Sequence, residues 1–191
     1  MRIIAGAWRG RSLIAPKGLT TRPTADRVRE ALFSMLASRL GTFEGLHVAD
    51  LFAGSGALGL EALSRGAAHC TFVEQDGVAL DALRANVASL DARDDSDILA
   101  TSVMALPPAR RPYDLLLLDP PYDTGAGAVA LDRLRRLNWL AVGALISVET
   151  AVHEQIAVSG LELEAERRHG KAKLTLLRAG ANAVAGAHDV P

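Results

Sequence analysis

The chain has 191 residues, of which 49% are hydrophobic and 23% are charged, and its formal net charge is −1. This size and composition predict one globular domain with a good core, and no apolar run approaches the roughly 20 residues that span a bilayer. One cysteine, Cys70, excludes an internal disulfide and a cysteine-based metal cluster, and the start MRIIAGAWRGR lacks the apolar stretch of a signal peptide. We therefore expect a cytoplasmic protein that binds no metal.

Positive charge is concentrated at the N-terminus. Residues 1–40 hold eight basic and two acidic side chains, whereas the remainder of the chain holds more acidic than basic ones. Clustered positive charge favours a polyanionic partner such as a nucleic acid. Charge alone leaves a solvated charged face equally open.

The chain begins with a predicted basic hairpin or arm over residues 1–22, where RIIA and RSLIAP flank the turn-forming GAWRG. The next segment, PTADRVREALFSMLASRL, predicts a helix that Gly41 ends. From residue 46 the pattern alternates between strands and helices. The predicted strands are LHVADLF, CTFVEQ, DILAT, YDLLLLD, ALISVE and the two halves of LELEAERRHGKAKLTLLR.

This alternation predicts a parallel sheet covered by helices on both faces, a doubly wound α/β domain over residues 23–179. Residues 180–191 show no periodicity, and we expect a mobile tail there.

A glycine loop follows the first strand of the alternating region. Gly54, Gly56 and Gly59 have the G-x-G-x-x-G spacing and lie where a predicted strand passes into a helix. Glycines there allow a tight turn and a close approach of the backbone to a ligand. A tight turn without a ligand is the alternative interpretation.

Two acids indicate which ligand this loop binds. Glu74 ends the second strand, where two carboxylate oxygens suit the two hydroxyls of a ribose. Asp50 comes just before the glycines, where a carboxylate suits a cationic amino-acid group and repels a pyrophosphate. The pattern therefore favours S-adenosylmethionine over a dinucleotide.

The buried strand YDLLLLD ends in Asp119, Pro120, Pro121 and Tyr122. The Asp119 carboxylate and the Pro120 carbonyl are suited to accept the two hydrogens of an exocyclic amine on a base. The two prolines hold these acceptors in place, and Tyr122 offers a face for stacking. We expect an in-line methyl transfer to the amine. A rigid strand-ending turn with Tyr122 in the core is the alternative.

These motifs resemble those of a known family. The segments DLFAGSGALGLEALSRGA and LLLLDPPY resemble Rossmann-like, S-adenosylmethionine-dependent amino-methyltransferases. Within that class, RIIAGAWRGRSL and RPTADRVREALFSML are similar to the RsmD family of bacterial 16S ribosomal RNA guanine-N2 methyltransferases. The resemblance covers residues 2 to about 178. It implies a seven-stranded sheet whose last strand runs antiparallel, and an enzyme that acts on a guanine N2 amino group within the small ribosomal subunit. We expect the chain to act as a monomer.

The resemblance also implies the site residues. The amine is expected at the catalytic loop formed by Asp119, Pro120, Pro121 and Tyr122. The expected cofactor contacts are Asp50, Phe52, Gly54, Ser55, Gly56, Glu74, Gln75, Val103, Met104 and Asp119. The expected RNA contacts are Arg2, Trp8, Arg9, Arg11, Arg22, Thr24, Arg27 and Arg29.

Two other functions stay open on the sequence. Aspartate-proline-proline-tyrosine motifs also serve DNA adenine-N6 methyltransferases, although those enzymes usually carry an added recognition domain. A non-catalytic RNA-binding assembly factor would keep the fold but would need neither the glycines nor Asp119.

Overall fold

The computed structural model describes residues 1–16 and 23–184, with the backbone alone at 23–25 and 184. The chain divides into two compact units, Met1–Thr101 and Ser102–Pro191. The division into an arm, a domain and a tail that the sequence suggests stays a prediction.

In the first unit, helices and strands alternate after an N-terminal hairpin. The elements are α1 (Pro23–Leu40), β1 (His47–Leu51), α2 (Ala57–Ser64), β2 (His69–Glu74), α3 (Gly77–Ser89) and β3 (Ser96–Ala100). The three strands run parallel, and Cys70 of β2 lies opposite Val48 of β1 and Ser96 of β3. Four of the five β1 residues are buried, as expected for a strand inside a parallel sheet.

The second unit contains the remaining strands of the described chain. After a 3-10 helix at Val103–Ala105, its elements are β4 (Tyr113–Leu118), α4 (Ala126–Arg136), β5 (Leu140–Ala151), β6 (Leu161–His169), β7 (Ala172–Ala179) and α5 (Ala181–Val184). Strands β4 and β5 are parallel, whereas β7 runs antiparallel to both β5 and β6. Over the described residues, seven strands form one sheet in the order β3-β2-β1-β4-β5-β7-β6.

This mixed sheet confirms the predicted α/β fold, including the antiparallel last strand. The four leucines of β4, residues 115–118, have at most 1% of their surface exposed, because the sheet interior surrounds the strand. Strand β5 is longer than the predicted ALISVE. The predicted tail begins with α5, where Gly160 lies so close to Ala183 that an added Cβ would approach its Cα to 2.8 Å. Residues 185–191 lie outside the described part.

The N-terminal hairpin contributes to the core of the first unit. An antiparallel bridge joins Arg2 and Ser12, and the side chains of Ile3 and Leu13 are buried. Ile3 and Leu13 therefore stabilise the unit by apolar burial, in addition to whatever the exposed side chains of the hairpin bind.

Buried polar groups of α2 hold this hairpin in place. The carboxylate of Glu61, which has no exposed surface, accepts the backbone N–H groups of Ile4 at 2.7 Å and Ala5 at 3.0 Å. Arg65 donates to the same carboxylate at 2.8 Å. Ser64 accepts the Trp8 N–H at 3.0 Å. Burial of a carboxylate is costly unless it is paired and hydrogen-bonded, so the hairpin and α2 stabilise each other through Glu61.

Among residues 1–16 and 23–184, no group of acidic, histidine and cysteine side chains is arranged to hold a metal ion. None of the described helices is long and apolar enough to cross a membrane.

Candidate active site

The glycine loop lies between β1 and α2, and its three glycines have different surroundings. A Cβ added at Gly59 would lie 2.5 Å from the sulfur of Cys70 and 2.4 Å from the ring of Phe72. A Cβ at Gly56 would lie 2.4 Å from Leu83. Gly54, with φ +55°, would meet nothing within 4 Å. Gly56 and Gly59 thus serve packing within the unit, whereas the space beside Gly54 is open.

The backbone just before these glycines is strained. Phe52 has φ 63°, in the left-handed region that a bulky side chain rarely adopts. The next residue, Ala53, donates its N–H to the Val73 carbonyl of β2 at 3.0 Å, which holds the segment against the neighbouring strand. Strain of this kind persists where a structure over-determines the backbone, typically at a functional site.

Asp50, near the end of β1, is hydrogen-bonded to the start of α2, just after the glycine loop. Its side chain is 1% exposed, and one carboxylate oxygen accepts the Gly59 N–H at 2.8 Å, in the first turn of α2. A carboxylate at a helix N-terminus is stabilised by the N–H groups exposed there. Asp50 therefore orders the glycine loop, and its predicted contact with a cofactor stays a prediction.

Glu74, the last residue of β2, joins the loop after β2 to the glycine loop. One oxygen accepts the Gly54 N–H at 2.8 Å. The other oxygen accepts the N–H groups of the exposed Gln75 at 2.7 Å and of Asp76 at 2.8 Å. Three backbone donors thus fix a carboxylate beside the open position at Gly54. The predicted contact of Glu74 with ribose hydroxyls stays a prediction.

Asn86 of α3, which the sequence analysis missed, connects the hairpin to the glycine loop. Its fully buried carboxamide accepts the Ile14 N–H at 2.7 Å. It donates at 2.9 Å to the carbonyls of both Ile14 and Ser55. Ser55 is buried, and its hydroxyl lies 3.8 Å from the sulfur of Met1. An asparagine inside a helical pattern gives no sequence signal of such a link.

Two predicted cofactor contacts belong to the second unit. Val103 is buried and Met104 is 36% exposed, both in the 3-10 helix after β3. Ser102 caps this helix by accepting the Met104 N–H at 3.2 Å. Their contact with a cofactor stays a prediction.

The proline loop follows β4 and begins with Asp119. Asp119 and Tyr122 are exposed, Pro120 is buried and Pro121 is exposed. Pro120 packs closely against α4, where a Cβ at Gly127 would lie 3.3 Å from the proline ring. Burial of one proline fixes the loop, so the acceptors beside it need little reorganisation.

The Asp119 carboxyl has an altered proton affinity. Desolvation, and then the negative charge of Glu149, raise its pKa from the ordinary 3.8 to about 7. Part of the Asp119 residue is exposed although protein atoms crowd its carboxyl group, so the group can exchange a proton with solvent. A carboxyl group with a pKa near neutrality is suited to accept a proton during a reaction at physiological pH.

Glu149 of β5 is the second residue of this site that the sequence analysis missed. The Tyr122 hydroxyl donates a hydrogen bond to its carboxylate. Desolvation and this hydrogen bond raise the pKa of Tyr122, so its phenol stays a donor at neutral pH. The signal was present, since an acid ends the predicted strand ALISVE. Its importance depends on the pairing of β5 with β4, which the sequence does not reveal.

The basic side chains near the N-terminus are not equivalent. Arg2, Arg9 and Arg27 are exposed, and Trp8 is partly buried. Arg11 is exposed, but it donates to the Ser89 carbonyl at 2.6 Å.

Arg29 does not fit the expected RNA contact. It is only 5% exposed, and its guanidinium pairs with Asp26 at 3.1 Å and donates to the Arg2 carbonyl. Desolvation lowers its pKa. Its described contacts fix the hairpin to α1 instead of presenting a charge to solvent. Arg22 and the Thr24 side chain lie outside the described residues.

Comparisons with known proteins agree on one family. The family model described as conserved hypothetical protein 95 matches residues 1–178. Ribosomal RNA small subunit methyltransferase D of Escherichia coli is 42% identical over 152 residues, 80% of this chain and 75% of that protein. Its Haemophilus influenzae counterpart is 40% identical over 154 residues, 78% of each chain. The solved structure of Escherichia coli yhhF has a TM-score of 0.83 at 37% identity, covering 95% of this chain and 98% of that one.

Proposed function

We propose the reaction of this chain from its family: the chain belongs to the RsmD family of methyltransferases, which the model of conserved hypothetical protein 95 describes. The reaction is transfer of a methyl group from S-adenosylmethionine to the N2 amino group of a guanine in 16S ribosomal RNA. The observation that carries the amine chemistry is the Asp119 carboxyl, held beside Glu149 and Tyr122 with a pKa of about 7.

We assign cofactor binding to the glycine loop and Glu74. The residues present fit the group: Gly54 has open space, and the Glu74 carboxylate is fixed beside it at 2.8 Å. Glu74 would accept the ribose hydroxyls, and the first turn of α2 would leave its N–H groups near the ligand. When bound, S-adenosylmethionine supplies a methyl group on a positively charged sulfur.

We assign the amine to the proline loop. The Asp119 carboxylate and the Pro120 carbonyl would each accept one hydrogen of the guanine amino group, which favours a geometry that exposes the nitrogen lone pair. Tyr122 is 40% exposed, so its ring has a face available for stacking on the base. Asp119 would take up the proton that the nitrogen releases, as its raised pKa permits.

We infer that the substrate is presented within the small ribosomal subunit or its assembly intermediate, in the cytoplasm. The relatives named ribosomal RNA small subunit methyltransferase D support a substrate that belongs to this subunit. We propose that the exposed basic residues of the hairpin contact RNA phosphates and that the enzyme acts as a monomer.

The experiment incubates the chain with labelled S-adenosylmethionine and, separately, small ribosomal subunits, naked 16S ribosomal RNA and DNA. We expect label in the RNA, recovered as N2-methylguanosine by nucleoside analysis. Asp119→Ala should abolish transfer and leave the dissociation constant of S-adenosylmethionine within a few fold. Label recovered as N6-methyladenine in DNA, or near-normal turnover of the variant, would contradict the proposal.

A further inference from the structure

Glu149 and Asp119 are neighbours in the second unit. Strands β4 and β5 are parallel, with Leu118 opposite Val148. Asp119 directly follows β4 and Glu149 is the next residue of β5, so both lie near the same carboxyl edge of the sheet, where ligands bind in α/β folds. The Glu149 side chain is half-buried. The negative charge of Glu149 raises the proton affinity of Asp119.

Glu149 also contacts the aromatic residue of the loop. The Tyr122 hydroxyl donates to its carboxylate, while 40% of Tyr122 is exposed. The exposed ring is thus held at its far end by one hydrogen bond to β5. Such a bond reduces the rotamer freedom that a stacking ring would otherwise lose when a base binds.

We propose that Glu149 is a positioning residue of the amine site, which holds the Tyr122 ring through its hydroxyl and places a second negative charge beside Asp119. The inference rests on the proposed function, because it concerns the same reaction. Glu149 acts through its two neighbours and need not touch the base.

The negative charge of Glu149 affects where the proton goes during methyl transfer. The bond from N2 to the methyl carbon forms while the bond from that carbon to sulfur breaks, and the sulfur keeps the electron pair. The nitrogen, now positively charged, releases one proton to Asp119, which becomes neutral. A neighbouring negative charge favours the protonated form of Asp119, so Glu149 favours this uptake.

Other charged groups of the second unit lie near these residues. Glu154, in the loop after β5, is a further negative charge near Tyr122. His153 pairs with Asp123 at 2.7 Å. Lys173 of β7 lies opposite Thr150, one residue from Glu149, so it belongs to the other face of the sheet.

Three variants separate the two roles of Glu149. Glu149→Gln keeps an oxygen that can accept from Tyr122 and removes the charge. Tyr122→Phe keeps the ring and the charge and removes the hydrogen bond, and Glu149→Ala removes both. For each variant, kcat and KM are measured against pH with the RNA substrate that the wild type methylates.

The wild type should lose activity below about pH 7, as Asp119 becomes protonated before it can accept. In Glu149→Gln this acid limb of kcat/KM should move to lower pH by about half a unit or more. Tyr122→Phe should leave the limb in place and raise KM about 3- to 10-fold, because the ring is less ordered. Glu149→Ala should show both changes.

Matched controls exclude general effects of charge. Glu162→Gln removes one negative charge from an exposed position on β6, and His153→Gln removes the imidazole that pairs with Asp123; both should leave the acid limb of kcat/KM in place. Carbon NMR titration of the Asp119 carboxyl should give a lower pKa in Glu149→Gln, whether or not the protein is active. Wild-type profiles in all three variants, or an unchanged titration, would overturn the inference. An inactive wild type would refute the proposed function instead.

Discussion

At the scale of single residues, the structure separates side chains that share a type but differ in task. Gly59 gives space to Cys70 and Phe72, whereas Gly54 faces open space. Arg9 is exposed and Arg29 is buried against Asp26. The sequence pattern treats the members of each pair alike, because burial depends on tertiary neighbours that spacing does not specify.

Separate substitutions of Gly54 and Gly59 should distinguish an effect on cofactor affinity from an effect on stability. Gly59→Ala should cost about 1–3 kcal/mol of unfolding free energy, because its Cβ would overlap the Cys70 sulfur, and should leave the affinity for S-adenosylmethionine near normal. Gly54→Ala should cost about 1–2 kcal/mol from its left-handed φ and should weaken binding strongly. Urea unfolding and calorimetric titration measure both quantities. Equal weakening of cofactor binding in the two variants would remove the assignment of Gly54.

Asp119 should make the folded state less stable as the pH rises. Its pKa is raised in the folded chain, so the folded state binds the proton more tightly than the unfolded state does. The stabilisation is complete below the ordinary pKa of 3.8 and is lost as the pH passes about 7.

Asp119→Asn should therefore be more stable than the wild type at pH 8, and this advantage should shrink toward pH 4. Chemical unfolding at both pH values measures the difference, with the exposed Asp94→Asn as the control. If the difference in unfolding free energy between the variant and the wild type were the same at both pH values, the raised pKa of Asp119 would be contradicted.

At the scale of elements, the hairpin over residues 1–16 and helix α2 are coupled by one carboxylate. The Glu61 carboxylate accepts two N–H groups of the hairpin and pairs with Arg65. The Glu61 side chain itself has no exposed surface. The sequence predicts a hairpin at the N-terminus and a helix after the glycine loop. It does not predict that they touch, since an acid within a helical pattern usually faces solvent.

Glu61→Ala should cost about 3–5 kcal/mol, because Arg65 and the two N–H groups would be left without their partner. The hairpin should also become sensitive to trypsin at the exposed Arg9 and Arg11. Unfolding in urea and timed proteolysis measure the two effects, with Glu30→Ala on the exposed face of α1 as the matched control. Glu61→Gln, which keeps one acceptor, should be intermediate, and wild-type protection in both variants would contradict the coupling.

At the scale of the whole molecule, much of the fold is readable from the sequence. Alternating strands and helices predict the sheet, and the glycine and proline motifs predict where its two sites lie. The sequence does not yield the partners that complete each site. Asn86 and Glu149 are 72 and 27 residues away from the groups they bond, Ile14 and Tyr122. Only the packed strands and helices bring such distant residues together.

The uneven charge of the chain should make RNA binding depend on salt. Reversing Arg2 and Arg9 to glutamate should lower the affinity for small ribosomal subunits and flatten the dependence of log K on log salt, by roughly 0.7–0.9 for each phosphate that the hairpin no longer neutralises. Filter binding at several salt concentrations measures the slope. Reversal of Arg84 and Arg136, which are exposed on α3 and α4, should change the slope less, and an equal change would refute a specific role for the hairpin.

The buried hairpin residues limit which changes of the N-terminal segment leave the fold stable. Deleting residues 1–16 would remove Ile3 and Leu13 from the core and would leave Glu61 and Asn86 without their hairpin partners. Truncation would thus lower stability whatever the segment binds. For the same reason, exchange of this segment between relatives would succeed only if the residues that receive it in α2 and α3 were exchanged as well.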